Sequence, residues 1–156
     1  MTDPYDDFHR ALVAVQPGEL TGDTAQTGGM RRFAALSGPS VGSRDLWMGQ
    51  THVAPSTSSA NHHHGRSETG IYVVSGRPEF VFLAEDGTET RLVTGPGSYV
   101  YVPPWVPHRE ENPAPDEEAV VVIARTTQEA IVVNLESLEW VGPVAVGEAE
   151  PPDGVR

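Results

Sequence analysis

The residues of this chain best suited to chemistry are its histidines. In Asn61-His62-His63-His64-Gly65-Arg66-Ser67-Glu68, His62 and His64 are two apart, so an extended backbone projects them from one face and turns His63 to the other. Two imidazoles on one face can ligate one metal ion, and the Glu68 carboxylate just beyond them is a further candidate ligand. The competing reading is a surface cluster of histidines in a loop. About thirty residues on, the run from Gly97 through Pro103, Pro104 and Pro107 to His108 ends a strand in a proline-stiffened turn that aims one histidine. His52, on the strand before the cluster, is the natural replacement if Glu68 faces away; the bland alternative is a histidine bonded to a neighbour. Because imidazole titrates near neutrality, His63 and His52 are also the candidate proton acceptors.

Such side chains need short, stiff, extended segments to hold them. The 16 glycines and 14 prolines are scattered between runs rich in Val, Ile, Tyr, Phe and Thr, which is how an all-β chain reads. Strands are predicted at 45–54, 70–75, 79–84, 89–93, 99–102, 119–126 and 130–135, with Asp86-Gly87 as the turn of a hairpin. Only 4–15 and 135–140 look capable of helix. Alternation puts Tyr72 and Val74 on one face and Ile71 and Val73 on the other, pairs Phe80 with Phe82, and pairs Tyr99 with Tyr101. Trp105 sits in the turn that presents His108. Together with Tyr72, Phe80, Phe82, Tyr101 and Trp47 it makes a candidate pocket for a planar apolar ligand, against the plainer reading of strand aromatics as core.

Composition removes several function classes. A net charge of −12 repels nucleic acid and anionic membrane surfaces. The chain has no cysteine, so thiol catalysis and thiolate metal sites are excluded, and all of its 10 basic residues are Arg, so Schiff-base chemistry is excluded too. No apolar run approaches the length of a membrane span, and a cytoplasmic protein is expected. The organisation expected is an N-terminal segment at 1–20 that crosses to a partner subunit or is loosely held, one domain at 21–141, and a flexible acidic tail at 142–156.

The two histidine segments resemble the paired motifs of the cupin superfamily, G-x5-H-x-H-x3,4-E-x6-G and G-x5-P-x-G-x2-H-x3-N. The second motif matches at Gly97, Pro103, His108 and Asn112. Ser56 and Trp105 stand where the motifs have glycine. Seven residues rather than six separate Glu68 from Gly76, so counting back from the glycine puts Thr69 in the carboxylate position. Since side chains alternate, that slip reverses the face of Glu68 unless a bulge absorbs it. The resemblance implies a single-domain jelly-roll β-barrel or sandwich in which His62, His64 and His108, with Glu68 or His52, bind one divalent ion per chain. Zn(II) is favoured, with Fe(II), Mn(II) and Ni(II) as alternatives.

At finer grain, HHHGRSETGIYVVSGRPEF, YVYVPPWVPHREENP and EAVVVIARTTQEAIVVNL are similar to segments of small cupins that act as cyclases in bacterial aromatic polyketide (antibiotic) biosynthesis. That resemblance implies a metal-dependent aldol-type ring closure of a poly-β-ketone, carried by an acyl carrier protein, in a homodimeric enzyme. The alternatives are an Fe(II)-dependent dioxygenase and a non-enzymatic cupin that binds a small ligand.

Overall fold

Period-two alternation of buried and exposed residues runs through the strand-forming segments, and two antiparallel sheets result. The computed structural model describes residues 11–26 and 28–143. Its elements in chain order are a 3-10 turn at Pro17–Glu19, β1 (Met30–Leu36), α1 (Gly38–Val41), β2 (Trp47–Val53), β3 (Thr57–Ser58), β4 (His62–His63), β5 (Thr69–Ser75), β6 (Glu79–Leu83), β7 (Glu89–Val93), β8 (Tyr99–Val102), β9 (His108–Asn112), β10 (Ala119–Arg125) and β11 (Val133–Asn134). One sheet has the order β1-β2-β10-β5-β8, the other β11-β4-β9-β6-β7, with β3 also paired to β9. This is the expected jelly-roll sandwich, in which neighbours in space are far apart in sequence.

The core lies between the sheets. In β5, Thr69, Ile71 and Val73 are buried while Gly70, Tyr72 and Val74 are exposed. Ile71, Val73, Val100, Val102 and Val121 from the first sheet meet Phe80 from the second, each burial worth roughly 1.5–3 kcal/mol. Gly76 then turns the chain at φ +80°, where an added Cβ would stand 2.7 Å from the Ala119 Cα, so both space and backbone demand glycine. The Asp86-Gly87 turn joins β6 to β7 as predicted: Gly87 has φ +83° and its N–H donates to the Ala84 carbonyl at 2.8 Å.

The differences from the predicted elements concern the polar segments. Residues 135–140 form no helix, and the run 130–135 contributes only the two-residue β11. Residues 11–15 are without regular structure, and the rest of the helix expected at 4–15 lies outside the described residues, as does most of the 142–156 tail. β1 and β9 were not anticipated. Met30-Arg31-Arg32 and His108-Arg109-Glu110-Glu111-Asn112 carry too much charge to read as strands, yet ladder partners on neighbouring strands extend them.

Candidate metal centre

Two short extended segments bring the histidines together. His62 is the Cα register partner of His108 across β4 and β9, and His64 follows two residues later on the same face. The ring centroids lie 4.9 Å apart for His62 and His64, 4.5 Å for His62 and His108, and 5.0 Å for His64 and His108. One ligating nitrogen from each ring lies within 4.8 Å of the other two. Each imidazole is oriented from behind. The Nδ1–H of His62 donates to the Ala60 carbonyl at 2.7 Å, that of His64 to Ile131 at 2.8 Å, and that of His108 to Val106 at 3.0 Å. A carbonyl can only accept, so the proton sits on Nδ1 and the Nε2 lone pair is left for a metal, the usual way a protein presents a histidine ligand.

Burial keeps the proton off two of these rings and so leaves their lone pairs available. Burial is the first reason that His64 is held well below its ordinary titration range, followed by the nearness of His108 and His62. His108 is lowered by burial and then by His62, with Glu110 opposing. Its Nε2 is buried and has no hydrogen-bond partner. Three converging imidazoles, each tied to a carbonyl through Nδ1 and one with a buried, unpartnered Nε2, make a donor set that fits a divalent metal.

The loops that carry the ligands are tied to each other. The N–H of Trp105 donates to the Gly65 carbonyl at 2.9 Å, joining the turn after His64 to the turn before His108. Trp105 has φ +68° and Ser56 has φ +52°, the only non-glycine residues with positive φ among those described. These are the two positions where the resembled motifs carry glycine, so the turns keep their left-handed shape at a cost of about 1–2 kcal/mol each. Asn112 closes the frame. Fully buried, its Nδ2 donates to the carbonyls of Val53 at 3.1 Å, Ala54 at 3.2 Å and Glu117 at 2.8 Å, so it anchors the end of β9.

Several expected site residues lie elsewhere. Glu68 faces outward and accepts a hydrogen bond from the Tyr101 hydroxyl at 2.6 Å, because Thr69 takes the inward position at the start of β5. The bulge that β5 does contain, where Val73 and Ser75 pair with consecutive residues of β10, comes after Glu68 and does not turn it inward. His52 is also on the outer face, its Nδ1 2.9 Å from Glu118 Oε1. His63 is fully buried but points away from the other rings. Its Nδ1 accepts from the Gly65 N–H at 2.9 Å and its ring lies 5.6 Å from that of Trp105, so it braces the turn and presents no free lone pair to the group. Tyr72 and Tyr101 are on the outer face, Tyr72 against Tyr99 at 4.8 Å between centroids. Phe80 is core, Phe82 is the register partner of His108, and Trp47 is buried beneath Arg125.

A cavity of about 100 Å³ adjoins the histidine group, and its lining includes His62, His64, Thr69, Glu110, Ile123 and Arg125. Trp105 is not part of it; the left-handed turn directs the ring to His63 instead. Neither Glu110 nor Arg125 is among the candidate site residues read from the sequence. The signal that could have found them is parity, since Glu110 is two residues from His108 and Arg125 ends the alternating strand β10.

The cupin domain family matches residues 49–124, which hold both histidine segments. Over that stretch, just under half of the chain, the sequence is similar to a cupin domain. Among solved structures, this chain is similar to oxalate decarboxylase of Bacillus subtilis. A serine-to-alanine variant of that enzyme superposes with a TM-score of 0.61 at 22% identity, covering 72% of this chain and 30% of that one. The form studied at pH 4.6 gives the same score and identity over 72% and 29%, and a tryptophan-to-tyrosine variant gives 0.59 at 24% over 69% and 28%. This chain therefore spans less than a third of the length of those chains, and at such identity the likeness speaks to the fold. Another structure of the same enzyme concerns its Mn(II) centres. No curated protein sequence matches this chain. Among the described residues no helix is long and apolar enough to cross a membrane.

Proposed function

We propose that this cupin is a metal-dependent enzyme acting on a β-dicarbonyl substrate, and specifically a polyketide cyclase that directs aldol-type ring closure. The observation that carries the reading is the group His62, His64 and His108, each Nδ1 tied to a carbonyl, with Thr69 rather than a carboxylate at the fourth motif position. A site with three protein ligands and a vacant position is of catalytic rather than structural type. A divalent ion held by these three imidazoles would act as a Lewis acid on a carbonyl or enolate oxygen, which ring closure requires and which needs no redox change.

The remaining roles fall to the chain's own side chains. Among the described residues Glu110 is the only carboxylate lining the cavity, which makes it the candidate acceptor for the proton lost from the carbon between two carbonyls. His63 and His52, both spent on other contacts, are poorer candidates. The cavity volume suits one dicarbonyl unit, so the reacting carbons would enter while the rest of a longer chain, and any acyl carrier protein, stays outside. The ion itself is proposed as Zn(II), with Fe(II), Mn(II) and Ni(II) as alternatives.

Product profiling tests this. With a poly-β-ketone on its carrier protein, the metal-loaded cupin should steer closure to one product equally well with and without air, and the metal-free protein should not. Strict need for O2 would instead support a dioxygenase, and a profile indifferent to the protein a binding module.

A further inference from the structure

Arg125 is a charge inside the sandwich that neither the metal nor the core accounts for. It is the last residue of β10, and the row across the sheet runs Trp47, Arg125, Thr69, with Trp47 and Thr69 its Cα partners on the flanking strands. Both neighbours are inner-face residues, 3% and 5% exposed. The guanidinium carbon lies 3.9 Å from the Trp47 ring centroid, Nε donates to the Thr127 carbonyl at 3.0 Å, and Nη2 donates to Gln128 at 2.8 Å. Among the described residues no carboxylate comes within ion-pairing distance of it. The negative charge that acts on it most is Glu129, which is not in ion-pair contact with it; Glu129 Oε1 is engaged by Arg66 and Oε2 is buried without a hydrogen-bond partner. Burial pushes the guanidinium down to about 10, so it keeps its proton at neutral pH.

A second observation bears on the same place. Beside Arg125 in register is Thr69, which occupies the position where the ligand motif has a carboxylate. A carboxylate there would have served the metal and the guanidinium together. Without it Arg125 shares the cavity wall with Glu110 but is ion-paired to no carboxylate among the described residues, and a divalent ion at the histidines would add positive charge. A desolvated positive charge without a direct ion pair is costly, and an arginine fork is shaped for a two-oxygen anion.

We infer that Arg125 is the anion receptor of this site, and that the substrate enters as an anionic dicarbonyl whose negative oxygen fills the place left at Thr69. This deepens the proposed function by naming the charge state of the substrate and rests on that reading for the metal. Acetoacetate is a probe of fitting size, and its methyl ester is the uncharged control.

Calorimetric titration of both probes into the metal-loaded protein and its variants provides the test, with metal content measured separately on each. Acetoacetate should bind the wild-type protein, 10- to 100-fold more weakly to Arg125→Gln, and with intermediate affinity to Arg125→Lys, while the ester should not distinguish them. Because Arg125 also packs on Trp47, a folded Thr69→Glu variant is the second reading: its carboxylate should pair with Arg125 and abolish acetoacetate binding with metal retained. The inference is overturned if Arg125→Gln, folded and metal-loaded, binds acetoacetate like wild type, or if the wild type binds acid and ester alike or neither. Arg125-dependent acetoacetate binding in a protein that takes up no metal would instead sink the metal reading and leave the anion receptor standing.

Discussion

The two faces of the first sheet carry similar residue types and put them to different ends. On the outer face, polar groups find partners on neighbouring strands: Glu68 with Tyr101, and Glu118 with both His52 and Arg31. On the inner face, a few residues away in sequence, Thr69 and Arg125 line a cavity beside three histidines, with Arg125 unpaired by any carboxylate among the described residues. Solvent screens the outer pairs, so each contributes little. Inside, the lower polarity makes every unsatisfied group costly and every incoming partner effective. A histidine or carboxylate therefore acquires chemical meaning here from the face it occupies, and that is decided by one-residue steps along a strand.

The largest effect should come from the ligands themselves. His62→Ala, His64→Ala and His108→Ala are each expected to drop metal content in purified protein to background, measured by elemental analysis; stoichiometric metal in all three would place the ion elsewhere. A smaller effect is expected from acid. Because His64 and His108 are held below the ordinary value of 6.5 by burial, the unfolded chain binds protons that the folded one refuses. Stability of the metal-free protein should thus be level above about pH 6.5 and fall below it, by up to about 1.4 kcal/mol per pH unit for each fully shifted group. Denaturant melts across that range would show it, and a flat profile between pH 7 and pH 5 would contradict it. The smallest effect should come from the outer face. Glu68→Ala and His52→Ala should leave metal content unchanged and alter stability by no more than about 1 kcal/mol. A strong loss of metal in either would break the distinction between the faces.

Much of the site was legible because histidines two apart and a proline-stiffened turn are local signals. His62, His64 and His108 needed only periodicity and the motif spacing to be singled out. Glu68 was ambiguous for a stated reason, the extra residue before Gly76, and the backbone resolved it by placing Thr69 inward and its bulge later in β5. The aromatic pocket was misjudged because alternation says which residues share a face, but not which face is covered. Tyr72 and Tyr101 share the outer one. Trp105 was correctly picked out as a departure from glycine, yet its φ of +68° sends the ring to His63 and away from the cavity.

By itself the sequence determined the all-β class, the turn at Asp86-Gly87, the alternation of β5 and the three histidines, since each depends on residues a few positions apart. Tertiary structure alone decided that β1 and β9 are strands, that Asn112 spans to Val53 and Glu117, and that Glu110 and Arg125 reach the histidine cavity. The physical reason is that a jelly roll pairs strands distant in the chain, such as β4 with β9 and β5 with β10, so a side chain's neighbours are set by a register that local periodicity does not contain.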